Sequence, residues 1–112
     1  MDDKYGDRRF DTRAVWSGTQ NIEGSVNTPA FLASTYRLTD DRYREWADRG
    51  GHHTLLYSRY SSVNSEAVSA KVASLEGAED GETFASGMAA ISSTLFSILS
   101  QGDHMVSSAD VY

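Results

Sequence analysis

Apolar side chains are distributed unevenly along this chain. In the second half they recur at helical spacing. Met88, Ile91, Leu95, Ile98 and Leu99 predict a helix from Gly87 to about Ser100, stopped by Gly102. Val68, Val72 and Leu75, at i, i+4 and i+7, predict another from Ser65 to about Glu76, with Asn64 as its N-cap and Gly77 just past its end. A shorter apolar face of Tyr43, Trp46 and Ala47 predicts a helix from Asp40 to Arg49. Thr39 can cap it, and Asp40 and Asp41 place negative charge where the helix dipole favours it. Gly50 and Gly51 are expected to end it.

Two short runs flank the last helix. Glu82 to Ala85, after the turn pair Asp80-Gly81, and His104 to Ser107 both read as strands. Strand, helix and strand with short joints make a βαβ unit, so the predicted fold class is α/β with a parallel sheet and a right-handed crossover. Parallel sheets are covered on both faces, and two strands do not complete one. The expectation is that these residues begin a longer polypeptide.

The first 38 residues differ. They are rich in Thr, Ser, Asn and Gly, and "WSGTQNIEGSVNTPAF" reads as loop, with Pro29 pushing Thr28 towards an extended conformation. So long an aperiodic stretch is unusual inside a compact domain and suits an arm packed against something else. "HHTLLYSRYSSVN", before the 65–76 helix, reads as extended chain or loop.

Charge and composition narrow the functions. The net charge is −6 and the pI is near 4.8. The ten basic residues form no run, which argues against nucleic acid as a main partner. With no cysteine, disulfides, thiol nucleophiles and thiolate metal sites are excluded. Met1 to Arg9 is charged with no apolar stretch behind it, and no apolar pattern approaches a membrane span. The expectation is an acidic, soluble, cytoplasmic protein with no nucleic-acid or membrane partner.

Candidate chemistry gathers at three places. Ser86-Gly87-Met88 stands where a strand would give way to a helix, whose first N–H groups and positive dipole end suit an anion. Gly87 permits close approach, and Ser86 offers a hydroxyl or simply caps the helix. Tyr57 and Arg59 alternate, so an extended chain would put them on one face, where a guanidinium fork and a phenol suit phosphate; a solvated arginine beside a packed tyrosine is the plainer reading. Tyr112 follows the last strand candidate and so would share the sheet's carboxyl rim with Ser86 and Gly87. His52 and His53 are adjacent and lack further ligands nearby, so no metal site is expected. His104 reads as structural. Glu66, Glu76, Glu79, Asp80 and Glu82 read as a solvated face, and Trp16 and Trp46 as packing anchors.

"YSR" (57–59), "SLEGAEDGETFASGMAAI" (74–91), "GDHMV" (102–106) and "DVY" (110–112), with "FDTRAVWSG" (10–18) upstream, together resemble the cysteine/methionine-metabolism family of pyridoxal-phosphate enzymes. That family includes cystathionine γ-synthase, cystathionine γ- and β-lyases, methionine γ-lyase and the O-acetylhomoserine sulfhydrylases. The resemblance implies a fold-type I, aspartate-aminotransferase-like architecture and a tetramer built as a dimer of dimers. Residues 1–60 would be an arm contacting the partner subunit, and residues 61–112 the start of the domain that binds pyridoxal 5′-phosphate. Gly87 and Met88 match positions whose N–H groups hold the cofactor phosphate, with Ser86 beside them. Tyr57 and Arg59 match a pair that reaches the neighbouring subunit's phosphate. Tyr112 matches a tyrosine that stacks on the pyridine ring and takes part in proton transfer.

The resemblance also implies the reaction: making or breaking a C–S bond at Cγ or Cβ of a sulfur amino acid or homoserine ester, with γ-elimination favoured over γ-replacement. This chain departs from the family in having Ser62-Val63-Asn64 where Asn-Pro-Thr is common after the arginine, and Trp16 where histidine is frequent. Those departures bear on specificity. Neither Lys4 nor Lys71 fits the family's Schiff-base lysine, which falls much later in family chains. The contrasting expectation, which a missing lysine favours, is a non-catalytic module binding a phosphorylated small molecule or a protein.

Overall fold

The computed structural model describes residues 5–48 and 54–111. Four helices run through them: α1 (Phe10–Trp16), α2 (Asp40–Asp48), α3 (Val63–Glu76) and α4 (Gly87–Ile98). Helix α1 lies in the stretch expected to be aperiodic. Its seven residues follow Arg9, whose side chain makes no cap hydrogen bond, so the usual start signal is missing. What holds α1 is its contact with α3. Among the described residues these are the only two helices packed on one another.

That contact corrects the expected buried face of α3. Val68 and Val72 are each 52% exposed, while Val63, Ser69, Ala73 and Ser74 are buried. The face turned to α1 is made of small residues, which lets backbones approach closely. A Cβ on Gly18, just past α1, would lie 2.2 Å from the Ala67 carbonyl oxygen, and one on Gly81 would lie 3.0 Å from that of Ser69. Polar bonds complete the contact. The Ser74 hydroxyl donates to Ser17 Oγ at 3.0 Å, and both residues are buried. The two helices also cap each other: the Arg13 guanidinium donates to the Ser74 carbonyl near the end of α3, and Lys71 Nζ donates to the Val15 carbonyl near the end of α1 at 3.0 Å. Each cation thus sits at the negative end of the other helix.

Helix α3 starts earlier than its apolar spacing suggested. Ser62, not Asn64, is the N-cap: Ser62 Oγ accepts from the Ser65 N–H and Ser65 Oγ accepts from the Ser62 N–H, each at 3.1 Å. The reciprocal pair satisfies two N–H groups that Asn64 alone cannot reach. Asn64 instead ties down the preceding loop, accepting from the Phe31 N–H at 2.8 Å and donating to the Pro29 carbonyl at 2.9 Å. Gly77, with φ of 70°, ends the helix as expected.

Helix α2 begins at the expected place, with Thr39 Oγ1 accepting from the Arg42 N–H at 3.4 Å. The expected ends at Arg49, Gly50 and Gly51 lie outside the described residues. Helix α4 runs from Gly87 and ends at Ile98, two residues short of the expected end.

The βαβ expectation is not matched among the described residues. Neither Glu82–Ala85 nor His104–Ser107 joins a ladder. A strand is defined by the hydrogen bonds of a neighbour, and the sole β-bridge among the described residues pairs Thr35 with Tyr57, antiparallel. The Tyr36 N–H donates to the Leu56 carbonyl at 3.0 Å and the Ser58 N–H to that of Ser34 at 2.9 Å. Residues 34–36 therefore clamp the segment that leads into Tyr57.

Candidate functional site

From Tyr57 the chain turns. The Tyr60 N–H donates to the Tyr57 carbonyl at 2.8 Å, and the Ser61 N–H donates to the same oxygen at 3.2 Å. Ser61 is buried, and its hydroxyl donates to Glu66 Oε1 at 2.6 Å. Ser62 then caps α3. Ser61 and Ser62 thus weld the turn to the start of the helix.

Tyr57 and Arg59 do meet, but through this turn and not by alternation along an extended strand. The Arg59 guanidinium carbon lies 5.2 Å from the centre of the Tyr57 ring and 5.5 Å from that of Tyr60. The two rings sit edge to face, 6.3 Å apart at 64°. Both distances are within the range of a cation–π contact. Among the described residues, no hydrogen bond or ion pair takes up the guanidinium N–H donors. Tyr60 was not among the residues expected here. The signal was an aromatic three residues after Tyr57, but strand reasoning put the two on opposite faces.

The second donor set is the start of α4. Ser86 is extended, with φ of −156° and ψ of 157°, and its hydroxyl accepts from the Ala89 N–H at 3.1 Å. The serine therefore acts as a cap. The Gly87 and Met88 N–H groups have no partner among the described residues. A Cβ on Gly87 would meet nothing within 4 Å. No hydrogen bond or ring contact among the described residues joins this helix start to the Tyr57–Tyr60 turn.

Tyr112, His52, His53 and Lys4 lie outside the described residues. Lys71 is engaged with the Val15 carbonyl, a structural position. Trp16 stacks on Tyr5, ring centres 6.4 Å apart, and Trp46 packs on Tyr43 at 6.0 Å. A cleft of about 330 Å³ lies between α1 and the end of α3, lined in part by Arg13, Trp16 and Gly77. None of Tyr57, Arg59, Gly87 or Met88 borders it. Of the described helices, none is long and apolar enough to cross a membrane.

N–H groups without a described partner at a helix start, and an arginine beside two tyrosines, make up a segment suited to gripping an oxyanion. Residues 11–112 match the family described as Cys/Met metabolism PLP-dependent enzyme, and the chain belongs to that family. It is 38% identical over 104 residues to a canavanine γ-lyase of Pseudomonas canavaninivorans, covering 90% of this chain and 25% of that one. It is 30% identical over 114 residues to an L-methionine γ-lyase of Pseudomonas deceptionensis, covering 100% of this chain and 29% of the relative. It is 38% identical over 105 residues to a cystathionine β-lyase of Coxiella burnetii, covering 92% and 25%. The chain thus spans between a quarter and a third of the length of these relatives. Family membership implies the fold-type I architecture for the protein as a whole.

The donors present fit the phosphate of pyridoxal 5′-phosphate. A phosphate takes several N–H donors at once, and both the α4 start and Arg59 have donors that no described residue takes up.

Proposed function

We propose that the full-length protein is a pyridoxal-phosphate-dependent lyase of sulfur amino acids, breaking a C–S bond by γ-elimination. The observation that carries this reading is the match over residues 11–112 to a family whose relatives include γ-lyases and a β-lyase. The bound cofactor supplies an electron sink for the carbanion formed at the substrate. In this reading the Gly87 and Met88 N–H groups hold the cofactor phosphate, with Ser86 fixing the turn that aims them. Tyr57 and Arg59 reach the phosphate of the neighbouring subunit. Tyr112 stacks on the pyridine ring and moves protons.

Residues 1–60 form an arm against the partner subunit in a dimer of dimers. Residues 61–112 begin the cofactor-binding domain, and the runs at 82–85 and 104–107 become strands of its parallel sheet once further strands pair with them. A non-catalytic binding module is disfavoured by membership in an enzyme family.

The test is a product assay on the full-length protein loaded with the cofactor. With L-methionine, γ-elimination consumes one water and releases methanethiol, ammonia and 2-oxobutanoate in equal amounts. Thiol release matched by 2-oxobutanoate is the expected result, for L-methionine or for L-cystathionine with its own thiol product. Turnover of neither substrate by a fully loaded protein would overturn the reading.

A further inference from the structure

We propose that Tyr60 is a positioning residue for Arg59, setting the plane of its guanidinium so that the open edge meets the cofactor phosphate. The inference rests on the reading that Arg59 grips that phosphate. An arginine on a flexible stem loses rotamer freedom when it binds an oxyanion, and a fork already held in place loses less. Arg59 is held by two rings. Its guanidinium carbon is 5.2 Å from the Tyr57 ring centre and 5.5 Å from that of Tyr60. Because the rings meet at 64°, they offer the guanidinium contacts from two directions where a single ring would offer one.

Tyr60 is itself fixed. Its N–H is bound to the Tyr57 carbonyl at 2.8 Å. The next residue, Ser61, is 3% exposed and bonded to Glu66 in the first turn of α3. The ring is therefore presented from the start of a helix, although it is itself 62% exposed. Tyr60 makes no other ring contact among the described residues than those with Tyr57 and Arg59. Its ring face is thus spent on the arginine and its neighbour, and not on a core.

The experiment measures the dissociation constant of pyridoxal 5′-phosphate for the full-length apoprotein and its variants. Tyr60→Leu keeps apolar bulk and removes the ring face; it is expected to weaken binding about two- to five-fold, the range of an exposed cation–π contact. Tyr60→Phe keeps the ring and is expected to match the parent. In an Arg59→Ala background, Tyr60→Leu is expected to cause no further loss, because its effect runs through the arginine. If Arg59→Ala alone left the affinity unchanged, the phosphate reading would fail and this inference with it. If Arg59→Ala weakened binding while Tyr60→Leu did not, the role of Tyr60 alone would be overturned. Equal losses for Tyr60→Phe and Tyr60→Leu would also overturn it, since the hydroxyl and not the ring would then be responsible.

Discussion

One methyl group at residue 18 would collide with helix α3. Gly18 has φ of +71°, and a Cβ there would stand 2.2 Å from the Ala67 carbonyl oxygen and 2.8 Å from the Lys71 nitrogen. Both obstacles are backbone, so no side chain can swing aside. Gly24 is the natural control: its φ is +79°, but a Cβ there would meet nothing within 4 Å. Alanine at either site pays the left-handed backbone penalty, about 1 to 2 kcal/mol. Only Gly18→Ala adds the clash. Gly18→Ala is therefore expected to destabilise the full-length protein by clearly more than Gly24→Ala, read as the difference in midpoint between two denaturant curves. Equal shifts would mean that α1 and α3 do not approach as closely as described.

At the scale of elements, α1 and α3 stabilise each other's ends. Each has a gap of its own: α1 lacks a side-chain cap at its start, and α3, though capped by Ser62 and closed by Gly77, has no basic residue in its last turn. Arg13 supplies that cation to the end of α3, and Lys71 does the same at the end of α1. Lys71→Met removes one such bond while keeping the aliphatic stem. It is expected to cost about 0.5 to 1.5 kcal/mol and to leave both the bound-cofactor absorbance and the elimination rate of the full-length enzyme unchanged. Loss of that absorbance would instead make Lys71 the lysine of the chemistry.

The same contact shows what could be read from the sequence. Helices α2, α3 and α4 were legible because each combines helical spacing with a polar residue ahead of it and, for α3, a glycine behind. The buried face of α3 was not legible. Val68 and Val72 stay half exposed, and apart from Val63 the buried positions are serine and alanine, which carry little apolar signal. Helix α1 was hidden for a related reason, since its stability comes from a partner more than fifty residues away. The strand candidates have the right composition, but pairing is a property of two segments. Arg59 and Tyr57 were found as chemistry, whereas their geometry, and the part of Tyr60 in it, depended on a turn that alternation could not foresee.

The whole molecule leaves far more surface open than a domain of its mass should. Its accessible area is 9070 Å², against about 6100 Å² for a compact monomer of 12.3 kDa. Its radius of gyration is 16.7 Å, against about 13 Å for a compact chain of this length. The buried apolar side chains among the described residues are Val63 and Ala73, while Leu32 is 100% exposed, Val106 94% and Phe96 84%. So little fully buried apolar area is small beside the conformational entropy of ordering so many residues, at roughly 1 to 2 kcal/mol of backbone entropy each. The apolar stripe of α4, with Met88 at 47% and Ile91 at 45% exposure, has the spacing of a helix that packs, yet none of the other three described helices covers it. Such an arrangement gains stability where further surface covers α4, which the proposed partner subunit and cofactor domain would supply. Prepared as these 112 residues alone, the polypeptide is expected to show a shallow, non-cooperative loss of far-ultraviolet circular dichroism on heating and to bind a hydrophobic dye strongly. The full-length protein should instead give one steep transition and little dye binding. A sharp, reversible transition from the 112 residues alone would show that they fold independently, and the arm and the unfinished domain would then have to be given up.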